Sequence, residues 1–239
     1  MHPLLFFFRT RLLTLVALSL TVMGSFSCKS EMNQPSVSGA KTYLALGDSY
    51  TIGEAVPEAD RWGVQLAVLL RQEDIPVSSP RIIARTGWTT AELIKAIDLE
   101  QVRDTYDLVS LLIGVNNQYR GQSLDQYRSE FRQLLQTATR LAKGKPQNVL
   151  VLSIPDWGVT PFAADRDRAQ IGREIDQFNA VAVEEAQKAG AFFVDVTPVS
   201  RTAATMPGFV ASDRLHFSGA MYQEWARLAL PVARKILRD

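Results

Sequence analysis

Beyond residue 40 the chain switches repeatedly between short apolar runs and longer stretches that carry apolar residues at helical spacing. This alternation limits the possible folds more than any other feature. The runs at 42–46 (TYLAL), 81–84 (RIIA), 108–113 (LVSLLI), 149–154 (VLVLSI) and 191–196 (AFFVDV) have strand length and adjoin Gly, Pro or Asn, so each is predicted to be a strand. Unbroken apolarity at 108–113 is what a strand covered on both faces requires. Segments 62–71, 89–97, 123–143, 168–188 and 219–237 read as helices. Thr89 or Thr90 suits the second as N-cap, a Ser123…Gln126 capping box opens the third, and Gly190 closes the fourth. Asp165 and Asp167 are expected to cap that fourth helix, and Pro231 to bend the last. Five strands alternating with five helices predict a three-layer α/β/α sandwich with a mostly parallel five-stranded sheet and right-handed connections, in one domain over 41–239.

Ligands of such sheets bind beyond the C-terminal ends of the strands. The segments there are Gly47-Asp48-Ser49-Tyr50, Arg85-Thr86-Gly87-Trp88 and Gly114-Val115-Asn116-Asn117, with Asp213-Arg214-Leu215-His216 ahead of the last helix. Taken singly, each is an ordinary turn composition.

Scarce residues narrow the chemistry. The 239 residues include two histidines, His2 and His216, and one cysteine, Cys28, so neither an intramolecular disulfide nor a Cys/His zinc cluster can form. Residues 1–11 carry Arg9 and Arg11 and no acid, and 12–26 is uncharged and apolar but shorter than the ~20 residues a spanning helix wants. That is the make-up of an export signal over 1–27. Ser25 and Ser27 precede Cys28 in a pattern resembling a bacterial lipoprotein signal, whose cysteine becomes the lipidated first residue, although Ser25 stands where an aliphatic residue is usual. Ordinary secretion and an uncleaved anchor are the alternatives. Residues 28–40 are then the lipidated cysteine and a polar tether, and the domain is expected outside the cytoplasm, in the cell envelope.

Removing Arg9 and Arg11 leaves 24 basic against 25 acidic side chains, which argues against a nucleic-acid footprint. His2 leaves too. His216 is then the only imidazole.

The four segments together make one chemistry. A serine needs a base to take its proton, and His216 can be that base for Ser49. Asp213 can hold the ring through Nδ1–H and leave Nε2 for the serine. Three extended residues would span about 10 Å, so 213–216 must turn for that contact. Gly87, Asn116 and the Ser49 N–H can donate to the negative oxygen that forms on an attacked carbonyl.

In this order the blocks resemble the SGNH (GDSL-type) hydrolase family: Gly-Asp-Ser at 47–49, the glycine block at Gly87, Gly-x-Asn at 114–116 and Asp-x-x-His at 213–216. The resemblance implies a flavodoxin-like fold and metal-free, cofactor-free ester hydrolysis. It implies Ser49 as nucleophile, His216 as base and Asp213 as orienter, with Ser49, Gly87 and Asn116 forming the oxyanion hole. Asn117 departs from the family, which more often has Asp there. The G-x-S-x-G elbow of ordinary α/β-hydrolases is absent around Ser49.

Trp88, Asn117 and Tyr119 are candidates for substrate contact. Trp62, Trp157, Phe162, Met206 and Phe209 could line a cleft or pack under loops. Arg120, Arg166 and Arg168 read as solvated surface. The expected substrate is an acyl ester of carbohydrate or lipid. A thioesterase- or lysophospholipase-like enzyme for longer chains, an acyltransferase and a non-catalytic envelope-binding protein are the alternatives.

Overall fold

The computed structural model describes residues 39–238. The export signal, Cys28 and the tether up to residue 38 lie outside the described residues. No helix among the described residues is long and apolar enough to cross a membrane.

Five strands form one parallel sheet in the order β2-β1-β3-β4-β5: β1 (Tyr43–Gly47), β2 (Arg81–Ala84), β3 (Leu108–Leu112), β4 (Val149–Leu152) and β5 (Phe192–Val194). The central three are buried at every residue, whereas the edge strands β2 and β5 are partly exposed. This is why the central runs are apolar without alternation. The one polar side chain inside β3, Ser110, is fully buried and hydrogen-bonds the Tyr43 hydroxyl across the sheet (3.0 Å).

Five long helices cover the sheet: α2 (Trp62–Gln72), α3 (Thr90–Leu99), α5 (Leu124–Leu141), α6 (Arg168–Ala189) and α8 (Gly219–Arg238). The remaining three are short: α1 (Ser49–Ile52), α4 (Val115–Tyr119) and α7 (Thr197–Arg201). α2 packs on α8, while α5 packs on both α3 and α6.

Local chemistry accounts for the boundaries. Thr89 caps α3 in a full capping box, its side chain accepting from the Glu92 N–H while Glu92 accepts from the Thr89 N–H, an arrangement worth about 1 kcal/mol. At α5 only half the box forms: Ser123 accepts from the Gln126 N–H, but the Gln126 amide turns to Glu130 (2.9 Å). Asp167 caps α6 and Gly190 closes it in a left-handed conformation. α8 continues through Pro231 without a break.

The sheet order reverses direction on leaving β1, between β2 on one side and β3 on the other, so the chain ends of β1 and β3 open a crevice there. The short helices α1 and α4, which amphipathic periodicity is too long-ranged to detect, begin at those two strand ends.

Candidate active site

Gly47 is where β1 stops and the chain folds sharply into α1. A Cβ there would lie 2.1 Å from Thr51 Oγ1 and 2.4 Å from the Leu112 carbonyl, so no other residue fits. Asp48 then caps α1, its Oδ1 accepting from the Tyr50 N–H (3.0 Å), and this sets Ser49 at the first helical position with 4% of its surface exposed. Asp48 itself is fully buried, and its second oxygen has no hydrogen-bond partner among the described residues. Burial pushes its pKa up to about 7, with the Tyr50 N–H pulling the other way.

The loop before α8 folds back on itself. Ala211 N–H donates to the His216 carbonyl (2.8 Å), Arg214 N–H donates to the Ala211 carbonyl (3.0 Å), and Arg214 adopts φ +68° to complete the turn. The turn aims the Asp213 carboxylate at three donors. Oδ1 accepts from the backbone N–H groups of Leu215 (3.0 Å) and His216 (2.9 Å), and Oδ2 lies 2.5 Å from His216 Nδ1. Partial burial pushes the Asp213 carboxyl up. The hydrogen bond from the imidazole and those from the two N–H groups outweigh it, so the group stays below the ordinary carboxylate range. With Nδ1 held, Nε2 is the ring nitrogen left to act. His216 is 7% exposed, and the Tyr50 ring meets it edge-on at 5.5 Å between centroids.

The turn at 85–88 is closed by a hydrogen bond from the Trp88 N–H to the Arg85 carbonyl (3.2 Å), with Gly87 at φ +85° and outside the residues that line the cavity described below. Asn116, on α4, donates from Nδ2 to the Trp88 carbonyl (2.9 Å). Its neighbour Asn117 serves a different purpose from the one the sequence suggested. It is completely buried, accepts from the Thr90 N–H (3.1 Å), and donates to Thr90 Oγ1 (2.6 Å) and Gln122 Oε1 (2.7 Å). The amide nitrogen is satisfied by Gln122, which supplies the acceptor an aspartate would not need. Asn117 therefore ties α4 to α3 and offers nothing to a substrate. Trp88 is also displaced from its expected place: its ring is half-buried against the core, outside the lining of the cavity described next.

Ser49, Asn116 and His216 share a cavity of about 180 Å³, walled by Tyr50, Val115, Tyr119, Trp157, Phe162 and Leu215. No hydrogen bond joins Ser49 to His216 among the described residues, in keeping with the general tendency of such contacts to tighten only around substrate. Trp157 is buried, and its indole N–H donates to Gln118 (2.8 Å), while Tyr119 and Phe162 stand exposed at the rim. Arg166 lies 5.2 to 5.5 Å from the ring centres of Tyr119, Trp157 and Phe162, close enough for cation–π attraction. Trp62 is core. A larger concavity, about 490 Å³ between α5 and α6, presents Leu135, Thr139, Pro146 and Ala189, but no imidazole stands beside its hydroxyl. Chemistry, not size, identifies the site.

Arg120, Arg166 and Arg168 are exposed, as read from the sequence, and two of them also hold backbone carbonyls. Arg120 Nη2 donates to the Gly87 carbonyl (2.5 Å), and Arg168 reaches the Ala163 and Thr160 carbonyls (both 3.3 Å). Nothing in the local sequence announces these carbonyl contacts. Their partners are backbone carbonyls exposed by turns.

A family model described as the GDSL-like lipase/acylhydrolase family matches residues 45–224. No curated protein matches the chain. Among solved structures, the acetylxylan esterase Axe2 from Geobacillus stearothermophilus aligns with a TM-score of 0.62 at 22% identity, covering 81% of this chain and 94% of its own. TesA gives 0.62 at 18% identity, with coverage of 82% and 99%. The psychrotrophic esterase EstA from Pseudoalteromonas sp., in a structure inhibited by monoethylphosphonate, gives 0.56 at 16% identity, with coverage of 83% and 95%. At these identities the structures speak for the fold, and the family model, spanning well over half of the chain, speaks for membership. The chain belongs to the GDSL-like lipase/acylhydrolase family and is an ester hydrolase of the SGNH type.

Proposed function

We propose that the protein hydrolyses short acyl esters through a covalent acyl-Ser49 intermediate. His216 Nε2 takes the Ser49 proton as Oγ attacks the ester carbonyl, and Asp213 stabilises the imidazolium that forms. Negative charge on the attacked oxygen is met by the N–H groups of Ser49 and Gly87 and by the Asn116 amide, each such donor being worth ~2.7–4 kcal/mol of barrier. The imidazolium gives its proton to the departing alkoxide. His216 then activates a water that cleaves the acyl-enzyme and frees the acid.

The observation that carries this reading is the 2.5 Å contact of Asp213 with His216, the imidazole that lines the same cavity as Ser49. It supports a single tautomer with Nε2 free, which the mechanism needs. At about 180 Å³ the cavity is smaller than the ~300–1,000 Å³ of ordinary ligand pockets, which favours a short acyl group over a long chain. The alcohol, from carbohydrate or lipid, would remain outside the mouth of this cavity.

The signal at 1–27 and the cysteine after it favour an exported enzyme held in the cell envelope through lipidated Cys28. The test of the catalytic reading is a nitrophenyl ester series from acetyl to octanoyl on wild type and Ser49→Ala. The expected result is loss of hydrolysis in the variant and a wild-type preference for the short esters. Ser49→Ala that folds and keeps most activity would refute it.

A further inference from the structure

We propose that Arg120 is a positioning residue for this hydrolysis, holding the Gly87 turn so that the Gly87 N–H stays aimed at the developing oxyanion. The inference rests on the reading of Gly87 as an oxyanion donor.

Gly87 is poorly restrained by packing. A Cβ built on it would meet a single neighbour within 4 Å, and that neighbour is Arg120 Nη2 at 3.8 Å. A glycine at φ +85° in open space has more backbone freedom than any other residue would have there. An oxyanion donor must nevertheless be held before the reaction begins, since its value lies in costing no reorganisation at the transition state.

Side-chain hydrogen bonds from α4 and from its C-cap residue Arg120 add restraint to that of the turn's own Trp88–Arg85 bond. Arg120 Nη2 donates to the Gly87 carbonyl (2.5 Å), and Asn116 Nδ2, one helical turn earlier, donates to the Trp88 carbonyl (2.9 Å). Two consecutive carbonyls of the turn are thus fixed by two side chains, one on a short helix and one on the residue that ends it. The Gly87 carbonyl defines the plane of the peptide that follows the glycine. Arg120 at that carbonyl and the Arg85 carbonyl at the Trp88 N–H hold this plane from both sides, so the Gly87 N–H can reorient only by rotation about the bonds to its own Cα. Arg120 is itself anchored, its Nη1 lying 3.3 Å from Glu92, whose carboxylate accepts from the Thr89 N–H (2.8 Å) and hydroxyl (3.0 Å). The guanidinium fork therefore links the turn, the start of α3 and the end of α4. A lysine, with all its donors on one nitrogen, does not reproduce that fixed planar fork.

Arg120→Met keeps the apolar stem and removes every donor. For nitrophenyl acetate we expect kcat to fall about tenfold or more, the equivalent of one modest transition-state hydrogen bond, with KM changed by less than about threefold. Phenylboronic acid, which forms a tetrahedral adduct on an active serine, should lose affinity by the same factor as kcat/KM. Arg120→Lys should recover part of both. A purely structural role would lower the melting temperature while leaving kcat and the boronate affinity of the folded enzyme intact, and that result overturns the proposal. A loss confined to KM overturns it as well. If Arg120→Met does not fold, Arg120→Lys is read alone, and wild-type values for kcat and boronate affinity there overturn it. Ser49→Ala measured alongside separates the two levels. Hydrolysis surviving in Ser49→Ala removes the catalytic reading itself, whereas an inactive Ser49→Ala beside an unimpaired Arg120→Met removes the role of Arg120 alone.

Discussion

Asp213 Oδ2 lies 2.5 Å from His216 Nδ1, and the same carboxylate accepts the backbone N–H groups of Leu215 and His216 through its other oxygen. One side chain therefore shapes the turn and orients the ring. Asp213→Asn separates these effects, because an amide can still accept backbone hydrogen bonds but favours the wrong imidazole tautomer. We expect kcat to fall on the order of 10³–10⁴-fold with the fold retained. Circular dichroism beside ester kinetics checks both.

The neighbours Asn116 and Asn117 should respond oppositely to alanine. Asn116→Ala removes the proposed oxyanion donor at the cavity wall and should cost about 10²–10³ in kcat with little loss of stability. Asn117→Ala leaves the buried Thr90 N–H without its partner and should cost about 1–3 kcal/mol of stability. Its kcat, measured on the folded fraction, should change far less. Urea unfolding of the two variants beside their kinetics tests the contrast.

Asp48 predicts a pH dependence of stability. Its pKa is raised from 3.8 to about 7 by burial, so the unfolded chain ionises this group first as pH rises. The contribution of Asp48 is complete below pH 3.8 and is lost progressively as pH climbs to about 7. Asp48→Asn cannot ionise. Between pH 5 and pH 8 wild type should therefore lose about 2–3 kcal/mol relative to Asp48→Asn. Urea midpoints of both proteins at the two pH values measure the difference. A gap that does not change with pH would contradict this account of Asp48.

Two glycines should fail for different reasons. Gly47→Ala forces a Cβ to within 2.4 Å of the Leu112 carbonyl and should prevent stable folding. Gly87→Ala meets open space but must hold φ +85°, at a cost of about 1–2 kcal/mol. It should fold and lose activity. Thermal melts combined with acetyl ester turnover distinguish them.

Phe162 is 41% exposed at the cavity rim, so its removal leaves the core untouched. Phe162→Ala should widen the acyl site and raise the octanoyl-to-acetyl ratio of kcat/KM by about tenfold, within the range a few methylene contacts supply. An unchanged ratio would mean that the wall does not set chain length.

Much of the fold was legible because its signals are local. The continuous apolarity of 108–113, Thr89 and Ser123 ahead of their helices, and Gly190 behind α6 each mark a boundary through their own chemistry. The need for a turn at 213–216 followed from the reach of an extended chain, and Arg214 makes that turn. What was not legible depends on contacts across long sequence separations. Asn117 looked available for substrate because nothing nearby in sequence announces Thr90 or the acceptor at Gln122. Trp88 directly follows Gly87, the proposed oxyanion donor, yet its ring packs against the core. Arg120 lies 33 residues from the carbonyl it holds. The short helices α1 and α4, with four and five residues, are too brief for periodicity to reveal, although they carry Ser49 and Asn116.

The most direct test of the central claim is covalent labelling. Wild-type protein treated with a fluorophosphonate and digested for peptide mass analysis should carry one adduct, on Ser49, with activity falling in proportion to labelling. Ser49→Ala should take up none, and Asp213→Asn should label far more slowly. Labelling at another residue, or full inactivation with Ser49 unmodified, would contradict the account.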